Sequence, residues 1–142
     1  MPAQHPISPW RLLVAAIVLA APARVADGVR AADAPVQAVH LVIDYGDGVQ
    51  KVFTAIQWAK GMTVLDAMKK AQAHPRGITF KHTGAGAAAF VTRIDELKNE
   101  GAGNGQRNWI YWVNAKLADR GVGAFELQPS DVVLWRFDVA KP

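Results

Sequence analysis

Two runs near the C-terminal end, NWIYWVN (108–114) and VVLWRF (132–137), constrain this chain more than any other part of it. Both are dense in aromatic and β-branched side chains, the composition of a pleated and at least half-buried surface. Side chains alternate across a strand. Trp109, Tyr111 and Val113 therefore share one face, with Ile110, Trp112 and Asn114 on the other. The same parity sets Val133, Trp135 and Phe137 against Val132, Leu134 and Arg136. If the four aromatics of the first faces meet in one core, each contributes roughly 2–3 kcal/mol of apolar burial. The 142 residues contain no cysteine, so neither disulfides nor thiolate chemistry is available and the core must hold the domain alone. Asn114-Ala115 marks a chain reversal, and Pro129-Ser130-Asp131 punctuates the entry to the last strand.

The N-terminal segment has the form of a secretory signal. Arg11 precedes the apolar run Leu12 to Ala21, which is too short to span a bilayer, and Ala21-Pro22-Ala23 offers a small-x-small cleavage site. Ala32-Asp33-Ala34 offers a second site. A cytoplasmic core helix fits badly with Pro22, and an uncleaved anchor is the other alternative. The expected organisation is a signal peptide over 1–23, a flexible alanine-rich linker over 24–37 and one domain over 38–140. The expected location is outside the cytoplasm, periplasmic or secreted, with no membrane association beyond the signal segment. The net charge of +4 is mild and its basic residues are scattered. Nucleic-acid binding needs a concentrated basic face, so that partner class is set aside.

Within the domain, Val39, Leu41, Ile43 and Tyr45 alternate with His40, Val42 and Asp44, Gly46-Asp47-Gly48 supplies a turn, and Val49 to Trp58 returns as a strand. Val52, Thr54, Ile56 and Trp58 are expected on one side of it. Thr63 and Asp66 have the spacing of a capping box, opening a helix with a stripe of Leu65, Met68, Ala71 and Gln72. His74-Pro75 ends it. Ile78 to His82 and Phe90 to Ile94 are two further short strands. The expected class is α+β: a β-grasp-like mixed sheet with one helix packed on one face.

Three stretches carry a family resemblance: GMTVLDAMKKA (61–71), FVTRIDELKNEGAGNGQRNWIYWVNAKLADRGV (90–122) and LQPSDVVLWRF (127–137). Together they resemble the transcobalamin C-terminal-domain-like family, a β-grasp-like module of exported bacterial proteins and of animal cobalamin carriers. The likeness rests on the helix start at Gly61 to Thr63, the hairpin from Trp109 to Asn114 and the acidic Asp131. It departs where Ala115 replaces the usual glycine of the turn, and where Ser130 replaces a glycine before Asp131. The resemblance implies a corrinoid such as cobalamin, or a saccharide, as the ligand class.

Signals for catalysis are sparse. Ser130 has no histidine near it in sequence, and a nucleophilic serine needs a base and an oxyanion site around it. Asp95, Glu96 and Glu100 read as a solvated turn, lacking the regular oxygen spacing of a calcium loop. His40, His74 and His82 lack metal-ligand spacing. The glycine-rich stretches 84–86 and 101–103 lack a phosphate-binding fingerprint. No catalytic residue, metal or cofactor is assigned, and a non-enzyme is expected.

What is left is the second face of the sheet. A single helix covers one face, so Ile110, Trp112, Leu134 and Arg136, with Asn114 at their edge, form the candidate ligand-binding surface. The alternative is that loops 83–89 or 99–107 fold over and bury these residues. The expected function is a non-catalytic module binding a small molecule or saccharide, or an adaptor docking another exported protein.

Overall fold

The computed structural model describes residues 35–140, so the expected signal peptide and most of the linker lie outside the described residues. The first hairpin forms as its alternation dictates. Strands β1 (Ala38–Asp44) and β2 (Gln50–Gln57) pair antiparallel around the Gly46–Gly48 turn. Helix α1 (Val64–Ala73) follows. Its capping box is complete: the Thr63 hydroxyl accepts from the Asp66 amide, and the Asp66 carboxylate accepts from the Thr63 amide at 3.0 Å. The next free amides of the first turn, Val64 and Leu65, donate to the carbonyls of Phe125 and Val122. A late loop thus closes the end of an early helix.

β3 (Phe80–Thr83), β4 (Phe90–Ile94) and β5 (Leu97–Lys98) make a small antiparallel sheet of their own. β6 (Arg107–Val113), β7 (Lys116–Leu117) and β8 (Val132–Val139) complete the main sheet, whose order is β2-β1-β8-β6-β7. β1 and β8 run parallel at its centre and every other pairing is antiparallel. This is the mixed α+β architecture expected from the pattern of elements, with the small second sheet as an addition that the pattern did not reveal.

The core lies on one face of the main sheet. Val39, Leu41, Ile43, Trp109, Tyr111, Val113, Val133, Trp135 and Phe137 point into it, with Val64, Leu65, Ala67, Met68 and Ala71 of α1 above them. Trp135 stacks on Tyr111 at 4.9 Å between ring centroids, and Trp109 meets Phe137 at 5.3 Å. Val91 and Ile94 of β4 close the same core. Among the described residues no helix is long and apolar enough to cross a membrane.

Three local expectations need correction. Gln72 of the helix stripe is exposed, while Val64 and Ala67 are buried in its place, because the helix axis is set by the sheet beneath it. The third strand starts at Phe80, although Ile78 before it is still core. In β2, Val52 and Ile56 fall on opposite faces: Val52 is 56% exposed and Ile56 only 7%. A bulge explains this, since the register runs Val39↔Ile56 and then Leu41↔Phe53, leaving one extra residue on β2.

The β6–β7 turn keeps its hairpin geometry despite the alanine. Asn114 and Ala115 sit at φ 51° and 64°, both in the left-handed region that a two-residue hairpin of this twist requires. For alanine this conformation costs about 1 kcal/mol. Ala115→Gly is therefore expected to stabilise the domain by up to about 1 kcal/mol and to raise its melting temperature by several degrees. Thermal melting followed by circular dichroism checks this; an unchanged or lowered midpoint would refute the strained turn.

Candidate binding surface

Opposite the core, the pairing register assembles side chains from every strand of the main sheet. Val42 lies across from Val52 on one side and Leu134 on the other. Leu134 lies across from Trp112, and Trp112 from Leu117. Directly opposed residues share a face. The result is one apolar row, Val52–Val42–Leu134–Trp112–Leu117, running the full width of five strands. Its two ends are open, with Val52 56% and Leu117 55% exposed, while the middle three are half-buried.

The neighbouring row is polar at its centre. Asp44 stands opposite Gln50 and Arg136, and Arg136 opposite Ile110. Arg136 Nε donates to the Asp44 carboxylate at 2.9 Å, Gln50 donates to it at 3.2 Å, and the Gly46 amide donates at 2.9 Å. Burial alone would raise the Asp44 carboxyl, but the Gly46 amide, Arg136 and Gln50 outweigh it and hold the group below the usual carboxylate range. Arg136 therefore serves a structural ion pair along one edge of its guanidinium, with 43% of its side chain still exposed.

The five candidates are thus brought to one face but do different work. Ile110, Trp112 and Leu134 are half-buried apolar surface, so loops 83–89 and 99–107 do not enclose them. Asn114 is committed to the fold: its amide donates to Asp131 at 2.8 Å and its oxygen accepts from the Val132 amide at 2.9 Å. That pair ties the hairpin to the start of β8. Val132, which parity already placed with Leu134, extends the surface, as do Val42, Val52 and Leu117, which the sequence reading missed. Val42 was readable from parity; Val52 was hidden by the bulge, and Leu117 by the brevity of β7.

Other candidates resolve into structural roles. Ser130 occupies a turn at φ 71°, its amide donating to the Ala38 carbonyl at 2.7 Å. His74 caps α1 and meets Phe53 edge-on, and His82 stacks on Phe80. Among the described residues, no three His, Asp or Glu side chains are grouped to hold a metal ion. The main hollows meet this surface only at its margins: a groove of about 760 Å³ between β2 and the end of α1 takes in Val52, one of about 170 Å³ near β4 takes in Ile110 and Leu117, one of about 110 Å³ near β7 takes in Leu117, and one of about 370 Å³ lies by the 101–106 loop. None of these four is lined by Trp112, Leu134 or Arg136.

Comparison with known families adds one decisive match. The model described as domain of unknown function, DUF4430, matches residues 61–139, more than half of the chain. The chain belongs to the DUF4430 family. The DUF4430 match takes in α1, the small second sheet, the Trp109–Asn114 hairpin and β8, so most of the apolar row lies inside it. No curated protein matches the chain. Among solved structures, a "putative metal binding protein" from Ruminococcus gnavus ATCC 29149 is similar with a TM-score of 0.54 at 11% identity. That alignment covers 74% of this chain and 99% of the other. At such low identity the likeness speaks for the shared fold alone.

Proposed function

We propose that this DUF4430 domain is an exported, non-catalytic adaptor that docks another exported protein against the reverse face of its main sheet. The observation that carries the reading is the row Val52–Val42–Leu134–Trp112–Leu117, an unbroken apolar strip on a broad strand surface. Small-molecule sites are concave and bury most of their ligand. A sheet face with exposed rims at Val52 and Leu117 instead suits a protein surface, with Trp112 as its aromatic anchor. Arg136, held upright by Asp44, adds a charged group beside that anchor. Export rests on the signal-like N-terminal sequence.

The second reading is a corrinoid or saccharide bound at Trp112 and Arg136, supported by the sequence motifs shared with transcobalamin-type modules. One design tests both. A photo-crosslinking residue at Leu117, introduced into the full chain in its native host, is expected to give one discrete protein adduct that Trp112→Ala abolishes. The same Trp112→Ala change is expected to cost only about 1 kcal/mol of stability, since the side chain is half-buried. An adduct that survives the substitution, or none at all, would count against the adaptor. A corrin absorption change on titration with cobalamin, lost in the variant, would establish the small-molecule reading instead.

A further inference from the structure

The groove between β2 and the C-terminal end of α1 touches the apolar row at Val52 and is otherwise lined by residues outside it. β2 stands at the edge of the main sheet, paired with β1 on one side and, among the described residues, with no strand on the other. Beside that free edge lies the hollow of about 760 Å³, bounded by residues 51–57 and by Lys70, Ala71 and His74 to Arg76. Its floor is apolar, because Phe53 and Ile56 turn inward at 8% and 7% exposure. Its rim is cationic, because Lys51, Lys70 and Arg76 line it and, among the described residues, no aspartate or glutamate does. Lys51 is engaged by Asp95 at 2.9 Å, but Lys70 and Arg76 form no ion pair among the described residues. Lys70 instead reaches the outermost strand, donating to the Gln57 carbonyl at 2.6 Å.

We infer that this groove is a peptide-docking site that takes an extended acidic segment of a partner protein as an added strand along β2. An unpaired strand edge offers main-chain hydrogen bonds to any extended chain, and the side chains beside it choose which chain stays. Here the floor accepts one apolar side chain over Phe53 and Ile56, and the Lys70–Arg76 rim accepts a carboxylate. Charge decides between this occupant and a second copy of the domain. Pairing β2 with β2 would bring two sets of Lys51, Lys70 and Arg76 together, and such like-charge juxtaposition disfavours the contact. Apart from Val52, which borders both, the site uses none of the residues of the adaptor row, and either can stand without the other.

The test uses the full chain, isotope-labelled, with a capped peptide of about ten residues alternating valine and aspartate, long enough to span β2. Amide shifts are expected within residues 51–57 and 70–76. Binding is expected to weaken by about tenfold in Arg76→Glu, more in Lys70→Glu/Arg76→Glu, and steadily with added salt. A valine–lysine peptide of the same length is expected to leave the spectrum unchanged. Methylating alternate backbone amides of the acidic peptide is expected to abolish binding if the contact is strand pairing. Equal binding of both peptides, affinity unchanged in Arg76→Glu, indifference to methylation, or shifts centred on Trp112 and Leu134 would each overturn the assignment. The amide spectrum of each variant also reports whether it is folded.

Discussion

Replacing Trp135 with alanine is expected to destabilise the domain by about 3–5 kcal/mol, the range for emptying a large aromatic site in a packed core. Trp135 is 2% exposed and sits on β8, between its parallel partner β1 and its antiparallel partner β6. Its ring lies against Tyr111, whose hydroxyl is itself anchored on the Arg120 carbonyl. Strand pairing on both sides fixes the neighbouring backbone, so the vacated volume has little freedom to collapse. A domain of this size has about 5–15 kcal/mol in total, so the loss takes a large share of it. Urea unfolding is the measurement: the midpoint should fall far below that of Trp112→Ala, although the two residues are both tryptophans on adjacent strands. Comparable losses for both would mean that the two faces of the sheet are not distinguished as described. Trp135→Phe refines the point. Trp135 Nε1 is buried without a hydrogen-bond partner among the described residues, so phenylalanine loses volume but also removes an unsatisfied donor. Its cost should therefore be well below that of alanine.

The contrast between Trp135 and Trp112 shows what was legible in the sequence. Alternation along two short runs sorted Trp109, Tyr111, Trp135 and Phe137 to the core and Ile110, Trp112, Leu134 and Arg136 to the other face, and the burial of each agrees. That works because strand parity is local and needs no knowledge of partners. The capping box at Thr63 was legible for the same reason. What stayed hidden depends on residues far apart in the chain. The bulge in β2 moved Val52 onto the reverse face, and nothing in VFTAIQ announces it. Arg136 is expected on the binding surface, yet it is paired with Asp44, 92 positions away. Asn114 looked like a surface residue, but Asp131 and Val132 hold it. Each correction comes from pairing between distant strands, which composition and spacing leave open.

Asp95 is the largest such surprise, because a residue read as part of a solvated turn fastens the small sheet to the main one. It follows β4 at φ 47°, a left-handed conformation that aspartate tolerates better than most residues. Its carboxylate accepts from the Tyr45 hydroxyl, from Lys51 of β2 at 2.9 Å, and from the Thr79 amide at 2.8 Å and hydroxyl at 3.3 Å. Asp95→Ala is expected to cost about 2–3 kcal/mol, an amount held down by the partial exposure of Lys51. Asp95→Asn should cost less, since its amide oxygen still accepts from Thr79. The pH dependence follows from the same contacts. Burial pushes the Asp95 carboxyl up, but Tyr45, Thr79 and Lys51 together bring it below its ordinary value of 3.8. Asp44 and Asp66 are lowered as well. As pH falls, the unfolded chain therefore takes up protons on these groups before the folded one does. Their stabilisation is complete above the unfolded value and is lost progressively as pH drops below about 4 towards the folded values. Asp95→Ala removes one of these contributors, so its urea midpoint should start lower near neutral pH and fall less steeply into acid. An acid limb as steep as that of the unsubstituted protein would show that Asp95 gains nothing from its charge, and that the join between the two sheets is made by other groups.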